Sequence, residues 1–317
     1  MSFADRDGKI WYDGRLVPWR EATTHVLTYS LHYGVGCFEG IRAYQTPQGT
    51  AVFRLRDHTH RLFNSAKVLG MKLPWTEDQV DAAVLEVLKA NALKEAYIRP
   101  MVFYGPEGMG LRADSLKTHL IVAAWTWGAY LGAENMEKGI RVKTSSFVRH
   151  HVHAAVCRAK ANGQYINSMM ALNEVLRDGY DEALMLDTEG NIAEGSAENI
   201  FLVVNGALHT PDLHSALDGI TRRTVVHLAG EFGIPVIERR ITRDEAWIAD
   251  EAFFTGTAAE VTPIREIDNR TIGAGRRGPV TEKLQKAYLE AVKGGSRHAA
   301  WLTYVDAPAA PARAAGG

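Results

Sequence analysis

The chain is poor in cysteine: Cys37 and Cys157 are the only two among 317 residues. Two thiols cannot build a disulfide framework for a chain this long, so the expected setting is the reducing cytoplasm. Charge of one sign is also lacking. The 36 Lys and Arg against 37 Asp and Glu leave a net charge of −1, which gives no basic field to hold nucleic acid or an anionic membrane. Long apolar runs are missing too. The longest, Leu120 to Ala133, has 14 residues, contains Thr126 and Gly128, and reads as a buried strand entering a connection rather than a membrane span. The N-terminus, Met-Ser-Phe-Ala-Asp-Arg-Asp-Gly-Lys, lacks the apolar core of a secretory leader. There is no H-E-x-x-H, no G-x-S-x-G and no P-loop lysine motif.

What is present is an ordinary globular composition, 46% hydrophobic and 23% charged, which excludes collagen, coiled coil and wholesale disorder. The length predicts about two domains. Lys9 to Val17 reads as a hairpin around Asp13-Gly14. Asp57 to Leu69 reads as a helix capped by Asp57, with Leu62, Phe63, Ala66 and Leu69 on one face and Gly70 past its end. Thr76 and Gln79 form a capping box before a helix striped by Val80, Ala83, Val84, Val87 and Leu88. Strand-like runs follow at Tyr97–Tyr104 and His119–Trp125. The segment Trp127 to Asn135, with two glycines and no period, breaks the pattern and marks a connection between domains. Beyond it, Arg141–Phe147, Ala183–Asp187, Asn199–Val204 and Ala252–Phe254 read as strands, and Gln164–Arg177 as a helix. Thr221 is placed to cap a helix with Val225, Val226, Leu228, Ala229 and Phe232 on its apolar face and Gly233 past its end. Pro279 opens a last helix with Val280, Leu284, Ala287, Tyr288 and Ala291 on one side. The expected class is α+β, with a small N-terminal domain over 1–126, a linker over 127–136, a larger C-terminal domain over 137–306, and a disordered Ala/Pro/Gly tail over 307–317.

Two patterns imitate motifs. Gly273 to Gly278 matches G-x-G-x-x-G, but only one helix and the polar chain end follow, so a turn before a helix is the better reading. Arg149-His-His-Val-His153, with Cys157 nearby, offers metal-ligand chemistry at a spacing that fits no zinc pattern, and otherwise reads as a polar loop.

Four segments carry chemistry of a more specific kind. Lys160 follows a strand-rich region and precedes a helix. Partly buried beside a cation it would be an amine able to form a Schiff base; read alone, it is a solvated lysine at a helix start. Glu194, after the turn at Glu189-Gly190, would hold a protonated ring nitrogen if deep in a cleft, and is otherwise a surface turn residue. Gly219-Ile220-Thr221 begins a helix whose free N–H groups would seat a phosphate, and Gly256-Thr257-Ala258 would supply a second set. Arg61 would meet such a dianion, or else form an i,i+4 pair with Asp57.

Together these segments resemble one family. His32-Tyr33-Gly34, Phe38-Glu39-Gly40-Ile41-Arg42, Tyr97-Ile98-Arg99-Pro100, Gly108-Met109-Gly110, Trp127 through Gly132, Lys160, Glu194-Gly195 through Glu198-Asn199, Gly219 through Arg222 and Gly256 through Glu260 occur in the order seen in branched-chain amino acid aminotransferases, pyridoxal-phosphate enzymes of fold type IV. The resemblance covers about residues 8–305. It implies a two-domain fold type IV architecture and pyridoxal 5'-phosphate as cofactor. Lys160 would be the Schiff-base lysine and the base that moves the substrate Cα proton. Glu194 would be the partner of the pyridine nitrogen, Tyr165 the hydroxyl near the ring oxygen, and Arg61, Gly219, Ile220, Thr221, Gly256 and Thr257 the phosphate side of the site. Tyr97, with Thr257 and Ala258, would hold the substrate α-carboxylate. Tyr33, Phe38, Gly40, Leu111, Trp127 and Tyr130 would wall an apolar side-chain pocket, some of them from a neighbouring subunit, and Arg99 would receive the second carboxylate of glutamate.

The resemblance also implies small-molecule amino acids and 2-oxo acids as partners, ping-pong exchange between L-leucine, L-isoleucine or L-valine and 2-oxoglutarate, and a homodimer or higher homo-oligomer such as a hexamer. Within the same fold type, a D-amino acid or amine transaminase and an aminodeoxychorismate lyase-like enzyme are the alternatives. The sequence departs from the family in two places. Leu217-Asp218-Gly219 replaces Leu-Pro-Gly before the helix start, and the loop ahead of Lys160 is rich in histidine.

Overall fold

The computed structural model describes residues 2–127, 134–295 and 297–306. The first half of the chain builds one antiparallel sheet. β1 (Lys9–Tyr12) and β2 (Arg15–Pro18) form the expected hairpin. Asp13 and Gly14 take φ of 49° and 102° at its turn, the positive values that a two-residue connection demands. After α1 (Tyr29–Tyr33) come β3 (Gly36–Phe38), β4 (Ile41–Thr46), β5 (Gly49–Phe53), the helices α2 (Leu55–Val68) and α3 (Glu77–Ala90), and then β6 (Ala96–Tyr104) and β7 (Thr118–Trp125). The strand order is β5-β4-β6-β7-β1-β2, with β3 beside β6.

The capping box of Thr76 and Gln79 is formed at the start of α3. The α3 stripe from Val80 to Leu88 is buried, and packs with Leu62 and Ala66 of α2 on the sheet. The start of α2 differs from the expectation. Its cap is Arg54, at φ 51°, and Asp57 lies in the first turn, where its carboxylate accepts from Arg54 Nε at 2.7 Å. Arg54 is held from outside the helix, by Thr224 Oγ1 at 3.0 Å, so a tertiary contact decides where the helix begins.

The second half builds a mixed sheet. α4 (Asn135–Lys138) leads into β8 (Ile140–Thr144), α5 (Tyr165–Arg177), β9 (Glu182–Leu186), β10 (Ile192–Gly195), β11 (Asn199–Val204) and β12 (Ala207–Thr210). Then come α6 (Ile220–Glu231), β13 (Val236–Glu238), α7 (Arg243–Trp247), β14 (Glu251–Gly256), β15 (Glu260–Ile267), β16 (Arg270–Thr271), α8 (Pro279–Val292) and β17 (Leu302–Tyr304). The order is β10-β9-β8-β15-β14-β11-β12-β13, with β16 on β15. β8 runs parallel to β9 and β15, and β12 parallel to β13.

Three details differ from the sequence reading. β8 ends at Thr144 rather than Phe147, although Ser145 and Arg149 still donate N–H bonds to Leu184 and Leu186. α6 is capped by Gly219, without a side-chain acceptor, and Thr221 sits inside its first turn. Phe232 closes α6 as its C-cap and stays 37% exposed. The glycine-rich run 273–278 is a turn between β16 and α8, and no βαβ unit surrounds it.

The halves interlock. β17 returns to the first sheet and pairs with β5. One core joins Tyr44, Ala51 and Phe53 of the first sheet to Phe201, Val225, Phe253, Leu284 and Tyr288. Much of the 127–135 connection and the 307–317 tail lie outside the described residues. Replacing Thr76 by alanine removes the capping-box acceptor of α3 and should lower stability by about 1 kcal/mol. The urea midpoint measures this, and an unchanged midpoint would contradict the capping geometry.

Candidate active site

Lys160 stands where the two halves meet. Its N–H donates to Ser65 Oγ of α2 at 3.0 Å, and its carbonyl accepts from Phe38 N at 3.2 Å. The next residue, Ala161, forms a bridge with Cys37. The backbone is thus tied to the first sheet, while Nζ donates to the Tyr165 hydroxyl at 2.7 Å, at the start of α5.

Glu194, on β10, is buried against a buried arginine. Its Oε2 accepts from Leu217 N at 3.1 Å, and its Oε1 lies 2.9 Å from Arg149 Nε. The Nε–H does not aim along that line, so the contact is an ion pair rather than an aligned hydrogen bond. The rest of the guanidinium is fixed by Ser168 Oγ at 2.9 Å and the carbonyls of Gly195 and Ser196 at 3.1 and 2.9 Å. Burial raises the Glu194 carboxyl above its ordinary pKa, and the Arg149 cation pulls against that rise. Glu198 is also buried in the cleft. Desolvation and the like charge of Glu182 push it well above the carboxylate range.

The α6 start faces the same cavity. Because Gly219 has no side chain, the first-turn N–H groups have no side-chain acceptor, and a Cβ at Gly219 would run into the Asn199 carboxamide. Asn199 Nδ2 in turn holds Leu217 O at 2.8 Å. Arg61 approaches from α2. Its Nε and one terminal nitrogen bind both oxygens of Glu39 at 2.7 and 2.8 Å, and its other terminal nitrogen donates to Asp218 O at 2.8 Å. Of the five N–H donors of a guanidinium, two remain for a further partner. Burial alone would raise the Glu39 carboxyl, but Arg61 and His58 outweigh it and hold the pKa at about 2. Burial dominates at His58 and lowers its pKa.

A second cavity opens beside the first and shares Lys160, Tyr165, Ala197, Glu198, Gly256 and Thr257 with it. Its walls include Phe38, Tyr97 and Trp127, with the rings of Tyr97 and Trp127 4.6 Å apart, edge to face. Gly40 is required here, because a Cβ would strike the Tyr97 hydroxyl. Arg99 lies with its guanidinium carbon 4.3 Å from the centre of the Phe38 ring and donates to that same hydroxyl at 3.0 Å. Its buried Nε has no hydrogen-bond partner, and the residue borders this mostly apolar cavity.

A primary amine, a buried carboxylate and a set of anion-seeking donors therefore surround one cavity, with an apolar annex alongside. Residues 36–267 match the model of the amino-transferase class IV family. The chain belongs to that family. It is 63% identical over 306 residues to the branched-chain-amino-acid aminotransferase of Pseudomonas aeruginosa, covering 96% of this chain and 100% of the relative. It is 43% identical over 300 residues to the enzyme of the same name from Escherichia coli K12, covering 94% and 97%. Among solved structures, a T.th. branched-chain amino acid aminotransferase with pyridoxamine 5'-phosphate superposes with a TM-score of 0.93 at 46% identity, covering 95% of this chain and 99% of that one. The Escherichia coli enzyme also superposes at 0.93, with 42% identity and 95% and 100% coverage. The α+β, fold type IV expectation holds.

In this aminotransferase, Arg61, Lys160, Tyr165, Glu194, Gly219, Ile220, Thr221, Gly256 and Thr257 all line the first cavity. Phe38, Gly40, Tyr97, Arg99, Trp127, Thr257 and Ala258 line the second. Tyr33 and Leu111 line neither. The Tyr33 hydroxyl accepts from Gly110 N at 3.1 Å, and Leu111 is 89% exposed. Tyr130 lies outside the described residues.

Two of the plainer readings are overturned. Arg61 pairs with Glu39 rather than Asp57, and Glu194 is buried rather than on a surface turn. Sequence reasoning also missed Arg149, which stood at the head of the histidine-rich run, and gave no role to Glu39 within its quoted motif. His150 and Cys157 border the first cavity. Because Glu39 titrates far below its ordinary value of 4.5, its contribution to stability is present above that value and fades as pH falls towards 2. Glu39→Gln should cost about 3–5 kcal/mol at neutral pH, by leaving the Arg61 charge uncompensated, and should flatten the acid limb. Urea midpoints of both proteins between pH 7 and 3 measure this; parallel curves would refute it.

Proposed function

We propose that this chain is a branched-chain amino acid aminotransferase that exchanges the amino group between L-leucine, L-isoleucine or L-valine and 2-oxoglutarate, with pyridoxal 5'-phosphate as its cofactor. The carrying observation is that Lys160 borders both cavities, one rich in anion-seeking donors and one mostly apolar, bordered by Arg99 with its unpartnered Nε. The relatives' names, and the pyridoxamine 5'-phosphate held by the T.th. enzyme, support the same reading.

The residues fit the cofactor. Gly219 leaves the α6 start open to a phosphate, where N–H groups and the helix dipole favour an anion. Ile220, Thr221, Gly256 and Thr257 complete that seat, and Arg61 offers its two remaining donors. Once bound, the cofactor supplies an electron sink for charge left at the substrate Cα. Glu194, oriented by Arg149, holds a proton on the ring nitrogen, and burial makes this carboxylate the more basic. Lys160 is the attachment point, and its freed amine takes the proton from the substrate Cα and holds it at Nζ. Tyr165 orients that amine through the hydrogen bond already present.

Substrate sits in the apolar annex. The Tyr97 hydroxyl and the backbone of Thr257 and Ala258 hold the α-carboxylate. Phe38, Trp127 and the Tyr97 ring receive a branched side chain. Arg99 receives the distal carboxylate of glutamate, since a guanidinium binds a carboxylate in a fork. Tyr33 and Leu111 enter the annex of a second copy, which makes the enzyme a homodimer or higher homo-oligomer. It works in the cytoplasm; among the described residues no helix is long and apolar enough to cross a membrane. The functional division follows residues 1–126 and 137–306, joined by 127–136.

A coupled assay of L-leucine with 2-oxoglutarate should show activity that Lys160→Ala abolishes, and the variant should fail to bind cofactor covalently in borohydride trapping. Donor activity confined to D-alanine or a simple chiral amine would sink the branched-chain reading. Arg99→Ala should lower kcat/KM for glutamate and 2-oxoglutarate about 10–100-fold, the worth of a charge-assisted contact, and should affect the leucine half-reaction far less. Equal losses would refute its assignment.

A further inference from the structure

Helix α6 carries the phosphate seat at one end and, on its outer face near the other end, a second constellation. His227 and Glu231 are one turn apart, so both project from the same side of the helix. His298 comes from the segment that leads into β17. The His227 Nε2 lies 3.4 Å from Glu231 Oε1, and the His298 Nε2 lies 3.2 Å from Glu231 Oε2. One ligand atom from each of the three falls within 4.8 Å of the others. Ligands at 2.0–2.1 Å around a tetrahedral zinc ion are about 3.4 Å from one another; each imidazole nitrogen is near that spacing from a different oxygen of Glu231, and a set spread over at most 4.8 Å closes around an ion when side-chain rotations bring both nitrogens to one carboxylate oxygen.

The imidazoles are backed by Trp301. Its ring stacks on His298 at 4.0 Å and 9°, and meets His227 edge-on at 5.1 Å. This aromatic floor limits how far either ring can turn. Arg297 also reaches Glu231, at 2.9 Å, but its side chain is 71% exposed, so it can swing away into solvent.

We propose that His227, Glu231 and His298 form a binding site for a divalent cation of the zinc class, with a fourth position open to water. Two imidazole nitrogens and one carboxylate oxygen are a ligand set for Zn2+, Ni2+ or Co2+ rather than for Ca2+ or Mg2+, which take oxygen ligands. The site is separate from the chemistry at Lys160 and does not depend on the function proposed above. Because His298 leads into β17, a bound ion ties the returning chain end to α6 and stabilises the folded state by linkage.

The test uses the full-length holoenzyme without an affinity tag, and Zn2+ alone as probe. Competition against a chromogenic chelator should show a site that His227→Gln weakens by at least about tenfold. His151→Ala with His153→Ala, which alters the histidine-rich loop, should leave that site intact. The melting temperature should rise with Zn2+ in the wild type and not in His227→Gln, and Ca2+ should produce neither effect. His227 is half-exposed, so its replacement leaves the fold in place; His298→Ala provides a second, independent loss of ligand. Binding that survives both substitutions, or no binding at all, overturns the proposal and leaves an ion cluster centred on Glu231.

Discussion

Glu39 is fully buried in the first half of the chain, and much of the site depends on its charge being matched. Arg61 binds both of its oxygens and His58 binds one of them. Unmatched, a buried carboxylate would be strongly unfavourable; matched, it fixes the plane of the guanidinium. That plane matters because the same arginine reaches Asp218 O, one residue before the Gly219 cap of α6. The N-terminus of α6 on one half is thereby registered against a helix of the other. Arg42 and Tyr44 add a parallel link, since both contact Glu260 just beyond the 256–259 turn.

The opposite wall repeats this logic with the charges exchanged. Arg149 is the buried cation, held by a hydroxyl and two carbonyls, and Glu194 is the anion it positions. Arg61 borders the cavity while Glu39 does not, whereas Arg149 and Glu194 both border it. Each pair holds a charged group in a fixed orientation among buried residues, where its field is stronger than in water.

What could be read from the sequence was what depends on neighbours along the chain. The Asp13-Gly14 turn, the Thr76 capping box and the apolar stripe of α3 follow from local chemistry, and all three are present. Asp57 and Thr221 were poor guides to helix starts because Arg54 is held by the distant Thr224 and a side chain at position 219 would run into the distant Asn199. Lys160 and Glu194, taken singly, gave no sign of burial; only the ordered set of motifs set them apart. Arg149 could not be recognised among histidines, because its importance comes from β10, which is remote in sequence. Tyr33 and Leu111 show the limit in another form, since they line neither cavity of their own chain.

The position of β17 bears on how the protein is made. Its partner β5 is complete by Phe53, yet the strand that covers that edge begins at Leu302. At a ribosomal rate of about 5–20 residues per second, the edge stays uncovered for roughly 10–50 s during synthesis. An exposed edge strand is a template for pairing with other nascent chains. The first sheet therefore reaches its final form only after Leu302–Tyr304 has been made, and a chain that stopped short of Leu302 would lose the strand that seals it.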